Sequence, residues 1–328
     1  MRRREFITLL GGAAASRPLA AAAQQTRVRR IGIVSVTDER DLETQSRVAA
    51  FQQELQKLGW TEGRNLRIDY RWTGGAVDRT RAIAKELIDL APDVILVQSN
   101  VGVAAFQQAT RTIPIVFVSA SVPVESGFVA SLAHPGGNIT GFTNFEAPMG
   151  GKWLEALKEI ASGVSRVAVI LQTDVAANVR FLRAAESAAP TFGVALTAVG
   201  VYDATEIERA ITAFAAGSNG GLIVLPNPVN ITHRELILRL AARHRLPAVY
   251  PYRYFATEGG LMSYGVDQAE MYRRAAPYVD RILRGVKPGE LPVQASEKFE
   301  LVINLKTAKA LGLTVSPALL VRANEVIE

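Results

Sequence analysis

The chain has 328 residues, of which 48% are hydrophobic and none is cysteine. A chain of this length can bury a large core, which excludes a small scaffold that depends on disulfide bonds. Lys and Arg number 37 against 31 Asp and Glu, a net charge of +6. Residues 1–23 hold four of the arginines and one glutamate, so the rest carries 33 against 30, about +3. This small excess gives no support to a nucleic-acid partner.

The chain begins MRRREFITLLGGAAAS, in which three arginines precede an apolar run. That run, Phe6–Ser16, is shorter than the ~20 apolar residues that cross a bilayer. Small residues up to Ala23 then supply a cleavage site, and Arg3-Arg4-Glu5-Phe6-Ile7 fits the twin-arginine pattern. We therefore expect residues 1–23 to be a twin-arginine signal peptide cleaved near Ala23, which places the protein in a bacterial periplasm. A disordered basic tail or a membrane anchor is the alternative interpretation.

Two further features concern attachment to a membrane. Because the chain lacks cysteine, it has no site for lipid modification of an N-terminal cysteine. No later apolar segment reaches the length of a membrane span. We therefore expect a freely diffusing protein that is not membrane-embedded.

From Arg29 onward, short apolar runs rich in Val and Ile alternate with amphipathic stretches. The apolar runs predict strands at Ile31–Val36, Val94–Val97, Ile115–Val118, Val167–Leu171, Leu222–Leu225, Ala248–Tyr250 and Leu261–Ser263. The amphipathic stretches predict helices at Leu42–Leu58, Arg79–Leu90, Lys152–Ile160, Ala176–Ala188, Glu206–Ala215, Arg234–His244 and Ala269–Leu283. Strands of nearly continuous apolar character are covered on both faces, as in parallel sheets. The alternation predicts an α/β protein with right-handed crossovers.

One sheet of ten or more strands would be large for this chain, so two smaller sheets are expected. The break lies near Pro135-Gly136-Gly137-Asn138. The two halves share the same order of predicted elements. Each begins with a basic residue and an Ile/Val strand, at Arg30 and at Arg166. Each then continues with a long helix that ends in a turn containing glycine. We interpret this as a weak internal duplication that gives two lobes of similar topology.

Residues that would indicate an enzyme are few. The three histidines, His134, His233 and His244, have no spacing suited to a metal site. The segment GLMSYG at 260–265 lacks the first glycine of the hydrolase nucleophile motif. The chain has no phosphate-binding GxxxxGK, and Asn138 breaks the dinucleotide fingerprint in its glycine-rich turn. The sequence therefore predicts no catalytic residue, no metal and no cofactor.

Polar residues follow the predicted strands in both halves, where ligands bind in open parallel sheets. The candidates are Thr37, Asp38, Gln98, Ser99, Asn100, Ser119 and Ser121 in the first half, and Thr173, Asp174, Asn227, Tyr250 and Tyr252 in the second. Hydroxyls, amides and aromatic rings suit the binding of a carboxylate or amide and of a flat group. At any single position, helix capping is the alternative interpretation.

Several segments resemble one family. Phe128–Gly141 (FVASLAHPGGNITG) resembles the interlobe segment of ABC-transporter substrate-binding proteins of the tryptophan/phenylalanine-binding type. Lys298–Leu313 (KFELVINLKTAKALGL) is a still more specific match to the same family. Gly259–Gly265 and Tyr278–Gly285 fit as well, so the resemblance runs from about Arg30 to the end.

The resemblance implies a type 1 periplasmic binding protein, in which two Rossmann-like lobes joined by hinge strands hold a ligand in the cleft between them. It implies that residues 24–143 plus 260–290 form lobe 1 and residues 144–259 plus 291–328 form lobe 2. The implied ligands are aromatic or branched amino acids, or related carboxylates and amides. The implied partner is an inner-membrane ABC permease, and a monomer is the default state of a delivery protein.

The chain departs from these relatives near the expected cleft. Val122 and Asn227 stand where relatives often carry Asp, which removes two natural partners of an ammonium group. Burying an ammonium without a counter-charge is unfavourable. An α-amino acid would then need Asp38, Asp174 or Asp267. An uncharged or purely anionic ligand, such as an aromatic carboxylate, is the competing expectation.

Within this scheme each lobe contributes its own contacts to the ligand. Ser99, Asn100 and Ser121 would bind from lobe 1; Thr173, Asp174 and Asn227 from lobe 2; and Tyr250 and Tyr252 would supply stacking area. The alternative function is a periplasmic sensor that presents its bound solute to a membrane receptor. An exported hydrolase is least favoured, because the sequence offers no nucleophile with a matching base.

Overall fold

The computed structural model describes residues 28–296 and 298–328. The predicted signal peptide, residues 1–23, therefore lies outside the described residues. The strands are β1 (Arg29–Ser35), β2 (Leu66–Trp72), β3 (Val94–Gln98), β4 (Ile115–Ala120), β5 (Ile139–Thr143), β6 (Arg166–Leu171), β7 (Ala195–Gly200), β8 (Gly220–Val224), β9 (Ala248–Tyr250), β10 (Met262–Gly265), β11 (Gln294–Ala295), β12 (Glu300–Asn304) and β13 (Glu325–Ile327).

These strands form two sheets. The first has the order β11-β5-β4-β3-β1-β2, and its neighbouring strands are parallel. The second has the order β13-β12-β10-β9-β8-β6-β7; its pairs are parallel except β10 with β12, which is antiparallel. The predicted α/β architecture with two largely parallel sheets is confirmed.

Helices connect the strands. They are α1 (Leu42–Lys57), α2 (Val77–Asp89), α3 (Ser99–Ala109), α4 (Met149–Ile160), α5 (Ala176–Phe192), α6 (Ala204–Ala215), α7 (Pro228–Thr232), α8 (Arg234–Arg243), α9 (Arg253–Thr257), α10 (Gln268–Leu283), α11 (Leu305–Leu311) and α12 (Pro317–Arg322), with a short 3₁₀ turn at Pro288–Glu290. In the described part of the chain, none of these helices combines the length and apolar character needed to cross a membrane.

The packing of the core explains why the central strands could be predicted from the sequence. Every residue of β3, β4 and β5 is buried, because helices cover both faces of the first sheet. Beside the passage between the sheets, Trp153 of α4 packs edge-on against Phe145 and Phe181, with ring centroids 5.1 and 5.3 Å away. This aromatic cluster anchors the start of the second lobe.

The chain passes between the two sheets at three described places. It leaves the first sheet after β5, returns after β10 to form α10, and leaves again after β11. Helix α10 packs against α1, where Trp60 Nε1 just beyond α1 donates a 2.8 Å hydrogen bond to Asp280. The three passages are the hinge segments that join the lobes.

The lobe boundaries differ from the expected ones at two of these passages. Residues 260–265 were expected in lobe 1, but Met262 and Ser263 of β10 pair with Val249 and Tyr250 in the second sheet. Residues 291–295 were expected in lobe 2, but β11 pairs with β5 in the first sheet. Backbone pairing, rather than the apolar character of each strand, decides to which sheet it belongs.

Candidate functional site

An inner pocket lies where the carboxyl ends of the two sheets face each other. Its lining is Gln98, Ser99, Asn100, Val101, Ser119 and Ser121 from the first lobe and Val175, Pro226, Asn227, Pro228, Ile231 and Tyr252 from the second. The free volume inside is about 10 Å³, roughly the space of one water molecule. The lobes are therefore closed over this pocket.

A larger vestibule of about 330 Å³ opens beside the pocket. Asn100, Val101 and Val175 line both spaces, so the two are contiguous. Arg81 and Asp174 supply the charged groups of the vestibule, while the inner pocket has no charged side chain in its lining.

Gln98 is the last residue of β3 and is 1% exposed. Its Oε1 accepts from the backbone N–H of Val36 at 3.4 Å, which fixes the orientation of the amide. Its Nε2 finds no hydrogen-bond partner among the described residues. A buried amide nitrogen without an acceptor is unfavourable, so Gln98 has a hydrogen bond left to donate.

Ser119 is connected to a buried arginine. Arg47 can only donate, and it donates to Oε1 of Gln268. The amide of Gln268 therefore turns its Nε2 towards Ser119, which accepts at 3.1 Å. The Ser119 hydroxyl proton has only the Met271 sulfur, 3.9 Å away, among described acceptors. A thioether is a weak acceptor, so this proton is available in the pocket.

The hydroxyl of Tyr252 is held in place by Asn144, which lies in the hinge segment after β5. The N–H of Phe145 and the hydroxyl of Ser121 both donate to Oδ1 of Asn144, at 2.9 and 2.7 Å. Nδ2 of Asn144 then donates to the Tyr252 hydroxyl at 2.9 Å. Burial raises the pKa of Tyr252, so the phenol is neutral and keeps a proton to donate.

Two other polar residues of the lining serve the scaffold. Asn100 exchanges two hydrogen bonds of 2.8 Å with the backbone of Ser121. Asn227 caps α7 by accepting from the N–H of Asn230 at 2.8 Å, and it donates to Asn178 at 3.0 Å. The capping interpretation therefore applies to Asn227, while Asn100 holds the loop at Ser121 in place.

The backbone beside the pocket is unusual. Ser99, Ser119 and Val122 have φ values of 74°, 55° and 43°. Residues other than glycine rarely occupy this left-handed region, and a β-branched residue does so least readily. Such positions concentrate at functional sites, and these three lie at the ends of β3 and β4.

Several candidate residues lie away from the pocket. Thr37 is buried and shares a 2.8 Å hydrogen bond with Thr44. Asp38 is exposed and binds its neighbour Arg40. Tyr250 stacks on Phe255 with ring centroids 4.9 Å apart.

Three further candidates also lie outside the inner pocket. Thr173 is exposed and bonds the Tyr202 hydroxyl. Asp267 caps α10 by accepting from the N–H groups of Ala269 and Glu270, and it faces a separate cavity on the hinge side. Asp174 lines only the vestibule.

The apolar part of the lining was not among the candidates. Val101, Val175, Pro226, Pro228 and Ile231 cover much of the inner pocket. Their only signal in the sequence is that they lie near the ends of strands. Only polar residues at such positions had been selected as candidates. Their presence gives the pocket a mixed character, polar at the strand ends and apolar between them.

An ion pair crosses between the lobes at the edge of the cleft. Oδ2 of Asp41, before α1, lies 2.6 Å from Arg234 of α8, and both side chains are largely buried. Burial alone would raise the pKa of Asp41, but the N–H of Thr44 and the charge of Arg234 outweigh it and lower the pKa. Arg234 also binds Glu258 at 2.8 Å. This network holds the closed arrangement.

No group of three or more His, Cys, Asp and Glu side chains within residues 28–296 and 298–328 is placed to hold a metal ion. The inner pocket is lined by neutral hydrogen-bonding groups and apolar side chains.

Comparisons with known proteins identify the family and the fold. The family model described as ABC transporter substrate binding protein matches residues 31–327. The tyrosine-binding protein of Clostridioides difficile is 24% identical over 285 residues, covering 87% of this chain and 81% of that protein.

Two solved structures share the fold. A conserved domain protein from Vibrio cholerae is 26% identical with a TM-score of 0.84, covering 92% of this chain and 100% of that one. A domain from Streptococcus pneumonia solved with L-Trp is 19% identical with a TM-score of 0.83, covering 91% and 99%. The fold is that of a type 1 periplasmic binding protein. The chain thus belongs to the ABC transporter substrate binding protein family, whose members bind solutes and are not enzymes.

Proposed function

We propose that the protein captures one small organic solute in the inner pocket and delivers it to the permease of an ABC importer. The observation that supports this most directly is the lining of the pocket, to which both lobes contribute six residues each. A solute held there touches both lobes only when they are closed. Its binding energy therefore favours the closed state, which a permease can distinguish from the open one.

Entry of the solute requires the lobes to separate. About 10 Å³ of free volume is far less than an amino acid occupies, so the closed pocket must widen before it fills. Separation breaks the contacts that cross the cleft, including the Asp41–Arg234 pair and the hydrogen bond from Thr232 to the Val36 carbonyl. Closure around a solute restores them.

The proposed ligand class is an aromatic or branched amino acid, or a related carboxylate or amide. Val101, Ile231 and the two prolines of the second lobe supply apolar contact, and Tyr252 supplies a ring. The comparisons add that one relative is named for tyrosine and that one structure of this fold contains L-Trp. The site of action is the periplasm, reached through residues 1–23 as a signal peptide, and the protein acts as a monomer.

Small-angle scattering on the purified protein, with and without a low-molecular-weight cell extract, tests this function. The extract should reduce the radius of gyration by closing the lobes. It should also raise the melting temperature by several degrees, since a ligand at a hundredfold excess over its Kd adds about 2.7 kcal/mol. Mass spectrometry of the solute released on denaturation then identifies it.

A matched pair of variants ties the effect to the pocket. Val101→Trp fills the pocket, while Val321→Trp adds the same side chain at a position that is 86% exposed. The first should abolish the response to the extract and the second should keep it. A particle whose dimensions never change, or a Val101→Trp variant that still responds, contradicts the proposal.

A further inference from the structure

Three polar side chains of the inner pocket have their hydrogen bonds arranged in the same direction, whereas the Ser121 hydroxyl gives its proton to Asn144. Gln98 turns its oxygen to the Val36 N–H and leaves Nε2 without a partner in the described part of the chain. Ser119 accepts from Gln268, and Tyr252 accepts from Asn144. Each of the three is thus left with a hydrogen atom to donate towards the pocket that it lines.

The orientation of these groups is imposed from outside the pocket. Arg47 is 3% exposed and has no lone pair to offer, so Gln268 can only present its oxygen to it. In the same way, the N–H of Phe145 forces the oxygen of Asn144 towards itself. A ligand therefore cannot reverse the two amides without breaking a buried hydrogen bond.

Helix α3 adds donors of the same kind. It has 11 residues; the side chain of Gln98 makes no capping hydrogen bond, and Ser99 Oγ accepts only from the N–H of Gly102 at 3.3 Å. The first backbone N–H groups of a helix lack partners inside the helix and carry partial positive charge. Residues 98–101 at this end of the helix all line the inner pocket. The helix end and the unpartnered Gln98 amide point independently to an acceptor, the kind of group that an anion supplies.

No charged acceptor lines the pocket for a cation, and Ser121 Oγ offers only neutral lone pairs. The inner pocket has no carboxylate in its lining. Asp38 is exposed beside Arg40, and Asp267 caps α10. Asp41 is bound to Arg234 and to the N–H of Thr44. Asp174 is exposed and lines only the vestibule.

We infer that the inner pocket holds the carboxylate of an acid that carries no α-ammonium group. This inference rests on the proposed function, because it names the chemical class of the solute. An ammonium on the carbon next to the carboxylate would enter a site of hydrogen-bond donors and lose its hydration without a counter-charge. The apolar tail of the acid lies against Val101 and Val175 and extends into the vestibule, where Phe128 adds apolar surface.

Calorimetric titration with matched compounds tests the inference. One set is 3-(4-hydroxyphenyl)propionate, tyrosine and tyramine; the other is 3-phenylpropionate, phenylalanine and phenethylamine. A panel of aliphatic carboxylates from two to twelve carbons covers shorter and longer tails. We expect at least one acid to bind at least tenfold more tightly than its α-amino counterpart, and neither amine to bind.

A pair of tyrosine variants locates the carboxylate. Tyr252→Phe removes one of the three donors and should weaken binding of the acid about tenfold. Tyr250→Phe makes the same change two residues away at a ring that is 1% exposed and does not line the pocket. It should leave the affinity for the acid unaltered.

Amino acids that bind as tightly as the acids, or amines that bind, would overturn the inference while leaving capture of a solute intact. A panel in which no carboxylate binds would overturn it as well. The scattering response to the extract then decides whether the proposed function fails too, since closure by an extract shows that some other solute is captured.

Discussion

Asn144 joins the two lobes at the hinge, because its Nδ2 donates a 2.9 Å hydrogen bond to the hydroxyl of Tyr252. The same amide accepts from Ser121 of the first lobe and from the N–H of Phe145. One side chain in the first passage between the sheets thus reaches both walls of the pocket. Its geometry is sensitive to the angle between the lobes, which makes it a direct link between closure and the arrangement of donors.

Replacing Asn144 by Ala should favour the open form and lower stability. Three buried hydrogen bonds lose a partner, and each contributes about 0.5–1.5 kcal/mol net, so the free energy of unfolding should fall by about 2–3 kcal/mol. Scattering in the presence of the cell extract should show a larger radius of gyration than for the parent protein, and chemical denaturation gives the stability. Asn138→Ala is the control, because Asn138 donates a 2.7 Å hydrogen bond to Ile113 within the first lobe. An Asn144→Ala protein as compact as the parent would exclude a role in closure.

The Asp41–Arg234 pair should couple closure to pH and charge. When the lobes separate, Asp41 keeps its hydrogen bonds to Thr44 but loses the charge of Arg234, so the part of the pKa lowering that Arg234 causes disappears. The closed form therefore binds fewer protons than the open form. The pair favours closure fully at neutral pH and progressively less as the pH falls through the lowered pKa of Asp41 in the closed form. Scattering between pH 7 and pH 3 should show the particle expanding at the acid end.

A double-mutant cycle separates this pair from other effects of acid. Asp41→Asn and Arg234→Gln should show a coupling of about 1–2 kcal/mol in the free energy of unfolding, because the pair is largely buried. The Glu54–Lys57 pair on α1 lies within one lobe and is largely exposed on the lysine side, so its cycle should give at most about 0.5 kcal/mol. Equal coupling free energies in both cycles would show that the Asp41–Arg234 pair has no special role in closure.

Much of the fold followed from the sequence because central parallel strands are apolar on both faces. Strand β7 was not predicted, since it forms the edge of its sheet and contains only exposed and partly buried residues. The run at 261–263 was recognised as a strand but placed in the wrong lobe. Its apolar residues fit either sheet, and only its pairing with β9 and β12 decides between them.

The site was predictable where a strand ends directly in the cleft. Gln98, Ser119 and Ser121 were found by that rule and do line the pocket. The rule also selected Asp38, but the side chain there bonds to Arg40 on the surface. The direction of the hydrogen bonds could not be read from the sequence, because it depends on Arg47, which lies far from Ser119 along the chain.

Reversing the relay, the hydrogen bonds that run from Arg47 through Gln268 to Ser119, should weaken the preference of the pocket for acids. In Gln268→Glu, the carboxylate accepts from Arg47 and also from the Ser119 hydroxyl, so the pocket loses a donor. The added negative charge acts in the same direction. Titration should then show acids binding about tenfold more weakly than to the parent protein.

Gln53→Glu is the matched change at an exposed position of α1 and should leave acid binding as it was. If Gln268→Glu and Gln53→Glu alter acid affinity equally, the relay has no part in selectivity. Circular dichroism on both variants separates loss of binding from loss of fold.

Two adjacent glycines in α4 should respond to alanine in opposite ways. A Cβ on Gly150 would overlap the backbone carbonyl of Phe181, because α4 and α5 touch at this point. Gly150→Ala must push the helices apart and should lower the free energy of unfolding by about 1–3 kcal/mol. A Cβ on Gly151 meets its nearest atoms at 3.6 Å, an ordinary contact. Gly151→Ala should therefore raise stability by up to about 1 kcal/mol, since alanine favours a helix over glycine.

Thermal and denaturant unfolding of the two variants measures this difference directly. Because α4 follows the first passage between the sheets, a shift of α4 in Gly150→Ala should also move Trp153, whose indole donates a 2.7 Å hydrogen bond to the carbonyl of Tyr264 in β10. Tryptophan fluorescence, measured in a background where Trp60 and Trp72 are replaced by Phe, should change in Gly150→Ala and not in Gly151→Ala. Two variants of equal stability would mean that the α4–α5 contact is looser than the overlap at Gly150 requires, and that the start of the second lobe can adjust without strain.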